Sequence, residues 1–375
     1  MRFLVLTHLF GEFTGSEINA LQLCMGLKEA GHQADIGSFQ LRGPLIGMAQ
    51  QSGIEVHDLL QDHGPSLDYD VIWAHHAPVL THLLFRRTLS PCRIVFSSLS
   101  PITPLESPPT YHGELPWILA HSPCNIKHLK EMLIPEERIH YFPNFAPKDF
   151  FDNPRPPSSN GLLRIAIVSN HQPEEVLQMV ALARADGLHV DIIGKDNPVF
   201  VDSTVLPLYD SVLTIGKTVQ YGFAQRVPVY CYDHFGGPGY IDEDNFELVQ
   251  HGNFCGRTHW SKLTGEELYA DVRARYDTAS GNERLEFLYQ KAVNSFSLEK
   301  NLGEVISLIE TTPVMDIEGL RRRNIAAGRL NDAYMVSLRH RLYLDAKVHE
   351  LSQPKIVPPK EPTRRRWLSQ LYVET

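Results

Sequence analysis

Two glycine-bearing loops, each following an apolar strand, carry the residue types best suited to chemistry in this chain. The first is Gly216-Lys217-Thr218, which ends the run Val212 to Ile215 and precedes a helix-compatible segment, Val219 to Gln225. The second is Asp233-His234-Phe235-Gly236-Gly237-Pro238-Gly239, after the apolar segment Val227 to Tyr232. Loops at the carboxyl ends of neighbouring parallel strands are where open α/β sheets bind ligands. A lysine at a helix start adds a cation to backbone N–H groups that already favour anions. The pair of loops therefore predicts a site for a phosphorylated ligand. It is not a P-loop: the leading glycine would stand at 211, where the chain has Ser211, and the loop is too short to wrap a triphosphate. Gly216 alone would equally suit a strand-to-helix turn. The second glycine loop, one strand later, favours a ligand.

The elements that must position these loops alternate strand and helix. Phe3 to Leu6 reads as a strand, followed by the polar loop Gly11-Glu12-Phe13-Thr14-Gly15 with Ser16 placed to cap a helix. From Glu17 to Ala30 the apolar residues Ile18, Leu21, Leu23, Cys24, Met25 and Leu27 recur at helical spacing, and Gly31 is a natural stop. Ala34 to Phe39, Val71 to Ala74, Ile94 to Ser97 and Trp117 to Ala120 suit further strands. A second start, Leu163 to His171, repeats the opening pattern after a linker-like stretch, Asn153 to Gly161. The expected fold class is α/β, with two Rossmann-like, doubly wound domains and a C-terminal helical extension. The expected ranges are 1–152, 162–312 and 313–375.

The last of these is basic and amphipathic: Leu330, Tyr334, Leu338 and Leu342 lie four apart among Arg321, Arg322, Arg323, Arg329, Arg339 and Arg341. A proline-rich spacer, Pro354 to Pro362, leads to Arg364-Arg365-Arg366-Trp367. Three readings stay open: a helix packed on the body with a solvated tail, attraction to an anionic membrane surface with Trp367 as anchor, or contact with a partner protein. The 375 residues, 43% hydrophobic and 21% charged, suit about two globular domains. A net charge of -9 argues against general nucleic-acid binding. The five cysteines lack C-x-x-C spacing, so neither a disulfide framework nor a zinc site is expected. MRFLVLTHLF reads as a buried strand rather than a secretory signal, and a cytoplasmic protein, peripheral at the inner membrane if the tail binds it, is the expectation.

Four segments together resemble the GT-B glycosyltransferases of bacterial surface-polysaccharide synthesis, family 4-like. The strand, then Gly15-Ser16-Glu17, then a helix ending in Leu27-Lys28-Glu29-Ala30-Gly31-His32, is similar to the family's opening motif. Asp70-Val71-Ile72-Trp73-Ala74-His75-His76 resembles the strand and histidine beside the acceptor pocket. Tyr141-Phe142-Pro143-Asn144-Phe145 resembles the interdomain crossing, and Gln220 to Asp233 the helix and strand under the donor site. The resemblance spans roughly residues 1–305. One departure stands out. Many retaining members carry two glutamates ahead of the turn that Val227-Pro228-Val229 resembles, and Leu213 and Tyr221 occupy those positions here.

The resemblance implies a metal-independent hexosyltransferase moving a sugar from a nucleotide-sugar donor, with no other cofactor, to a glycan or lipid-linked acceptor. Lys217, Thr218, Gln220, His234, Gly236 and Gly237 are then the donor-side candidates, with Gly15 opposite them. Helix N-termini and cations would stabilise the departing diphosphate in place of Mg²⁺. Glu17 and His76 are the candidate catalytic residues, and His75 and His171 could also move protons or bind sugar hydroxyls. Each has a plainer reading: Glu17 as a helix-dipole partner, and any one of eighteen histidines as a packed or surface residue. Asp68-x-Asp70 reads as structural rather than as a metal site. The alternatives are a non-catalytic scaffold or regulatory subunit of a glycan assembly complex, which the missing glutamates keep open, and a non-hydrolysing sugar-nucleotide epimerase, which would need several crevice carboxylates that the sequence does not show. A NAD(P) dehydrogenase is disfavoured because no G-x-G-x-x-G follows either opening strand.

Overall fold

The computed structural model describes residues 1–61, 67–156, 161–259 and 261–352. Residues Met1–Gly328 pack as one unit and the chain from Arg329 as a second. The first unit contains two sheets. In the first lie β1 (Arg2–Phe10), β2 (Gln33–Leu41), β3 (Val56–Asp58), β4 (Val71–Ala74), β5 (Arg93–Ser98), β6 (Ile118–Ala120) and β7 (Ile139–Tyr141). Their spatial order is β3-β2-β1-β4-β5-β6-β7, with every pairing parallel. The order reverses direction between β1 and β4, which opens a crevice at their carboxyl ends.

The second sheet holds β8 (Arg164–Val168), β9 (His189–Ile193), β10 (Ser211–Thr214), β11 (Val229–Asp233) and β12 (Gly236–Tyr240). Its order is β12-β11-β10-β8-β9. The pairings are parallel except β11 with β12, which is antiparallel. Here the reversal lies between β8 and β10. Successive residues of these buried strands feed opposite faces, as the period of two requires. Ile165 and Ile167 join one core and Ala166 the other; Val229 and Cys231 separate from Tyr230 and Tyr232 in the same way. The α/β class and the two doubly wound domains expected from the sequence are the observed architecture.

The chain crosses between the sheets twice, and the crossings touch. The Ala146 N–H donates to the Phe296 carbonyl (2.8 Å) and the Leu298 N–H to the Ala146 carbonyl (3.1 Å). After the second crossing, the helix Leu298–Thr311 returns to the first domain. Its apolar residues Leu298, Leu302, Val305 and Ile309 recur at helical spacing and complete the first domain's core. Gly26 permits this, since a Cβ there would stand 2.7 Å from a Leu298 methyl.

The helices Ile317–Arg323 and Ile325–Ser352 form the expected extension. Two of its arginines are committed to the first domain: Arg321 donates to the Leu84 and Arg87 carbonyls, and Arg323 pairs with Glu114 at 2.8 Å. Residues 157–160 of the linker, the proline-rich spacer and Arg364 to Trp367 lie outside the described residues.

The Gly236-Gly237-Pro238-Gly239 segment requires a correction. It is a strand, β12, rather than a ligand loop. Gly236 has φ +93°, and a Cβ on it would meet the Ser261 carbonyl oxygen at 1.9 Å; one on Gly237 would meet the Cys231 carbonyl oxygen at 2.0 Å. The backbone approach these glycines permit is to other backbone, where the chain turns to add an antiparallel edge strand. Gly236→Ala should therefore destabilise the protein by at least roughly 2 kcal/mol, through left-handed backbone and a backbone clash together. Urea denaturation checks this. A variant as stable as the parent but impaired in ligand binding would restore Gly236 to the site.

Candidate functional site

The two switch points face one another across a cleft of about 880 Å³, within the range of small-molecule sites. The first domain contributes the loop Glu12 to Ser16 after β1, together with Leu99, Glu106, His121 and Asn144. The second contributes Ser169 to His171 after β8, Gly194 and Lys195 after β9, Gly216 to Thr218 after β10, and Asp233 to Phe235 after β11. Of the residues expected at the site, the cleft brings together Gly15, Lys217, Thr218 and His234. The His171 and His234 rings lie side by side, 6.3 Å apart.

Lys217 begins the helix Lys217–Ala224, which Gly216 caps with φ 60° and ψ -129°, a conformation open to glycine. Its ammonium donates to the Phe145 carbonyl (3.2 Å) and stands 3.8 Å from the centre of the Phe145 ring, with the Tyr221 ring at 5.5 Å. The residue is half-buried and lines the cleft. Burial pushes its pKa well below the usual lysine value, and no carboxylate offsets that loss. His75 and His121 stand close enough to feel its charge. Burial first, and the neighbouring charges second, push both histidines down to about 3. His75 Nδ1 and His121 Nε2 are buried without a hydrogen-bond partner. Lys217 and His121 thus bring nitrogen bases to the cleft lining, with His75 buried beside them.

Several expected residues lie elsewhere, for visible reasons. Gln220 is fully buried; with its amide nitrogen turned inward it donates to the Gly216 and Lys217 carbonyls at 2.8 Å each, closing the first turn of its own helix. The Val219 amide likewise donates to the Gly216 carbonyl (3.1 Å). Gly236 and Gly237 pack within β12. Glu17 is 1% exposed, and its carboxylate accepts from the Gly11 N–H (2.6 Å), the Glu12 N–H (2.7 Å) and the Thr14 hydroxyl (2.7 Å). It holds the loop that forms the cleft wall, and both oxygens are engaged in doing so. Burial raises its pKa despite these donors.

His76 lies behind the cleft lining. Its Nδ1 accepts from the His8 N–H (3.1 Å), which leaves the ring proton on Nε2, facing a Glu106 oxygen at 3.8 Å. Burial pushes its pKa to about 3, so the ring is neutral in the fold. Asp70 accepts from the Arg2 N–H (2.8 Å) and Asp68 lies 3.6 Å from the Arg2 guanidinium, which accounts for that acidic pair structurally.

Tyr221, at an expected glutamate position, joins the domains instead: its hydroxyl donates to the Gln22 Oε1 at 2.7 Å, and its ring stacks on Phe150 at 4.1 Å. Leu213, at the other, is a core residue of β10. Sequence reasoning missed Glu106, His121, Lys195 and Arg257, all in the cleft lining. His121 follows the strand β6 just as His75 follows β4, and that pattern could have identified it. Glu106 sits in the short helical turn Pro104–Glu106, which carries no motif.

Three buried histidines fix a pH dependence. His75, His76 and His121 have folded pKa values near 3 against an ordinary 6.5. The unfolded rings take up protons below about 6.5 while the folded rings do not, so their contribution is complete above that pH and falls as the pH drops toward 3. At pH 5.5 the loss should be roughly 1.4 kcal/mol per histidine, and the Glu106 carboxyl, which burial holds up to about 7 so that it takes its proton in the folded state over the same interval, offsets about one of the three. Urea midpoints at pH 7 and 5.5 measure it; equal midpoints would contradict the buried neutral state.

No protein-family model matches the chain, and no curated protein sequence does. Solved structures are similar to it in fold. The Anabaena protein Alr3699/HepE, crystallised in complex with UDP-glucose, is 14% identical over 83% of this chain and 100% of its own, with a TM-score of 0.57. A glycosyltransferase from Rickettsia africae ESF-5 is 13% identical over 82% and 97%, with a TM-score of 0.55. Likeness at such identities establishes the shared fold.

Proposed function

We propose that this protein is a glycosyltransferase that moves a sugar from a nucleotide-sugar donor to a glycan or lipid-linked acceptor in surface-polysaccharide synthesis. The observation that carries this reading is Lys217: a buried cation without a carboxylate, at a helix N-terminus, in a cleft between two switch points. A diphosphate there would supply the missing negative charge. Thr218 adds its hydroxyl and a first-turn amide. Lys195 and Arg257, the latter 4.6 Å over the Phe235 ring, add exposed cations on the same wall. These groups would serve the departing diphosphate without a metal. The likeness to a protein crystallised with UDP-glucose supports a nucleotide sugar as donor.

The location we propose is cytoplasmic, with Arg364 to Trp367 drawn to an anionic inner-membrane surface. Among the described residues, no helix is long and apolar enough to cross a membrane. Deleting residues 354–375 should move the protein from the membrane fraction to the soluble one; unaltered partitioning refutes the anchor.

A thermal-shift panel of UDP-, GDP-, dTDP- and CMP-sugars tests the donor. Binding to the folded state raises its melting temperature by mass action, about 2.7 kcal/mol at a hundredfold excess over Kd. Lys217→Ala should weaken binding of the responding nucleotide by roughly tenfold or more, the scale of a charged hydrogen bond. No response from the wild-type chain to any nucleotide sugar would favour a scaffold, and conversion of a bound one to its isomer would favour an epimerase.

A further inference from the structure

Catalysis of transfer to a hydroxyl needs a group that takes the hydroxyl proton. Among the described residues, four carboxylates stand at or just behind the cleft wall, and three are committed. Glu12 is exposed and lies 3.2 Å from the Arg42 guanidinium. Both oxygens of Glu17 are held by the loop 11–14. Asp233 accepts from the Phe235 N–H (2.8 Å) through one oxygen and the Gly256 N–H (3.0 Å) through the other. Glu106 is different. It lines the cleft from the first domain, its side chain is 16% exposed, and the groups facing it are the Thr103 side chain and His76 Nε2.

We propose that Glu106 is the general base of the transfer, and that the reaction therefore inverts the anomeric configuration. The assignment rests on the transferase reading. The Glu106 carboxylate takes the proton of the acceptor hydroxyl as that oxygen bonds to the anomeric carbon. The bond from that carbon to the diphosphate oxygen breaks, and its electron pair leaves with the nucleoside diphosphate toward Lys217. The base and the leaving-group cation come from different domains, an arrangement suited to attack opposite the departing bond. Burial raises the Glu106 pKa to about 7, and the Thr103 hydrogen bond opposes this only in part. A base of that strength is half ionised near neutrality, where general-base catalysis is most effective. His76, neutral with Nε2–H toward the carboxylate, stands behind it.

The test is Glu106→Gln, assayed for UDP, GDP or dTDP release from α-linked UDP-, GDP- and dTDP-glucose with water as acceptor. Wild-type release should rise through about pH 7 as the carboxyl ionises. The variant should bind the responding donor as the wild type does in thermal shift, release nucleotide about a hundredfold or more slowly, and lose the pH dependence. Sodium azide, a nucleophile with no proton to lose, should restore release and give the β-glucosyl azide. Glu106→Asp, which keeps a carboxylate, should retain the pH dependence at a lower rate; it also serves if the glutamine variant misfolds. Unchanged release by Glu106→Gln, or an α-glucosyl azide, would overturn the base while leaving the transferase reading intact. A wild-type chain that binds none of the three donors would overturn that reading, and the base with it.

Discussion

A buried ammonium that no carboxylate neutralises is the constraint around which the two domains are arranged. Enclosing a charge without a partner is costly, and a lysine so placed is driven toward its neutral form. Lys217 tolerates the position because the Phe145 carbonyl and ring partly replace water. Phe145 immediately precedes Ala146, where the two interdomain crossings share hydrogen bonds. One turn beyond Lys217, Tyr221 reaches Gln22 in the opposite domain. A single short helix therefore meets the junction at one end and the facing domain along its side. Whatever alters the charge at Lys217 acts on the contacts that align the halves.

The first-domain wall answers this with neutral groups. His75 and His76 follow β4 and His121 follows β6 of the same sheet, and all three are buried uncharged, burial being the largest cause, with the Lys217 charge adding to it at His75 and His121. Carboxylates at that wall are satisfied by amides and hydroxyls, as at Glu17, or withdrawn into low-dielectric surroundings, as at Glu106. The cations that line the cleft, Lys195, Lys217 and Arg257, all come from the second domain, and an anionic ligand gains from that wall.

The sequence made the architecture legible where strands were apolar and bounded by turns: β1, β2, β4, β5, β6, β8, β10 and β11 all coincide with segments read that way. The strands β3 and β7 are three residues each with His57, Asp58 and His140 among them, and β9 is broken by His189 and Asp191, so each is too short or interrupted for periodicity to reveal it. β12 is nearly all glycine and proline, a composition of loops, and forms a strand because β11 supplies its hydrogen bonds. At the site, Gly216-Lys217-Thr218 was legible because position after a strand and before a helix has a physical meaning. Gln220 failed as a ligand because burial, which no local pattern encodes, turned its amide back onto its own helix. Glu106 was invisible since its importance lies in its surroundings.

The absence of glutamates at positions 213 and 221 looked like a loss of chemistry, and in the folded chain it reads differently. Leu213 completes a core and Tyr221 joins the domains, so a carboxylate at either place would remove an apolar contact or an interdomain hydrogen bond. A glutamate at 221 would also neutralise the nearby Lys217 and weaken its claim on a ligand phosphate. The cations Lys217, Lys195 and Arg257 line the cleft from the second domain, and the ionisable carboxyl of Glu106 lines it from the first. Under the proposed transfer the acid–base work falls to Glu106 and the leaving-group work to Lys217, a division the residue types alone did not disclose.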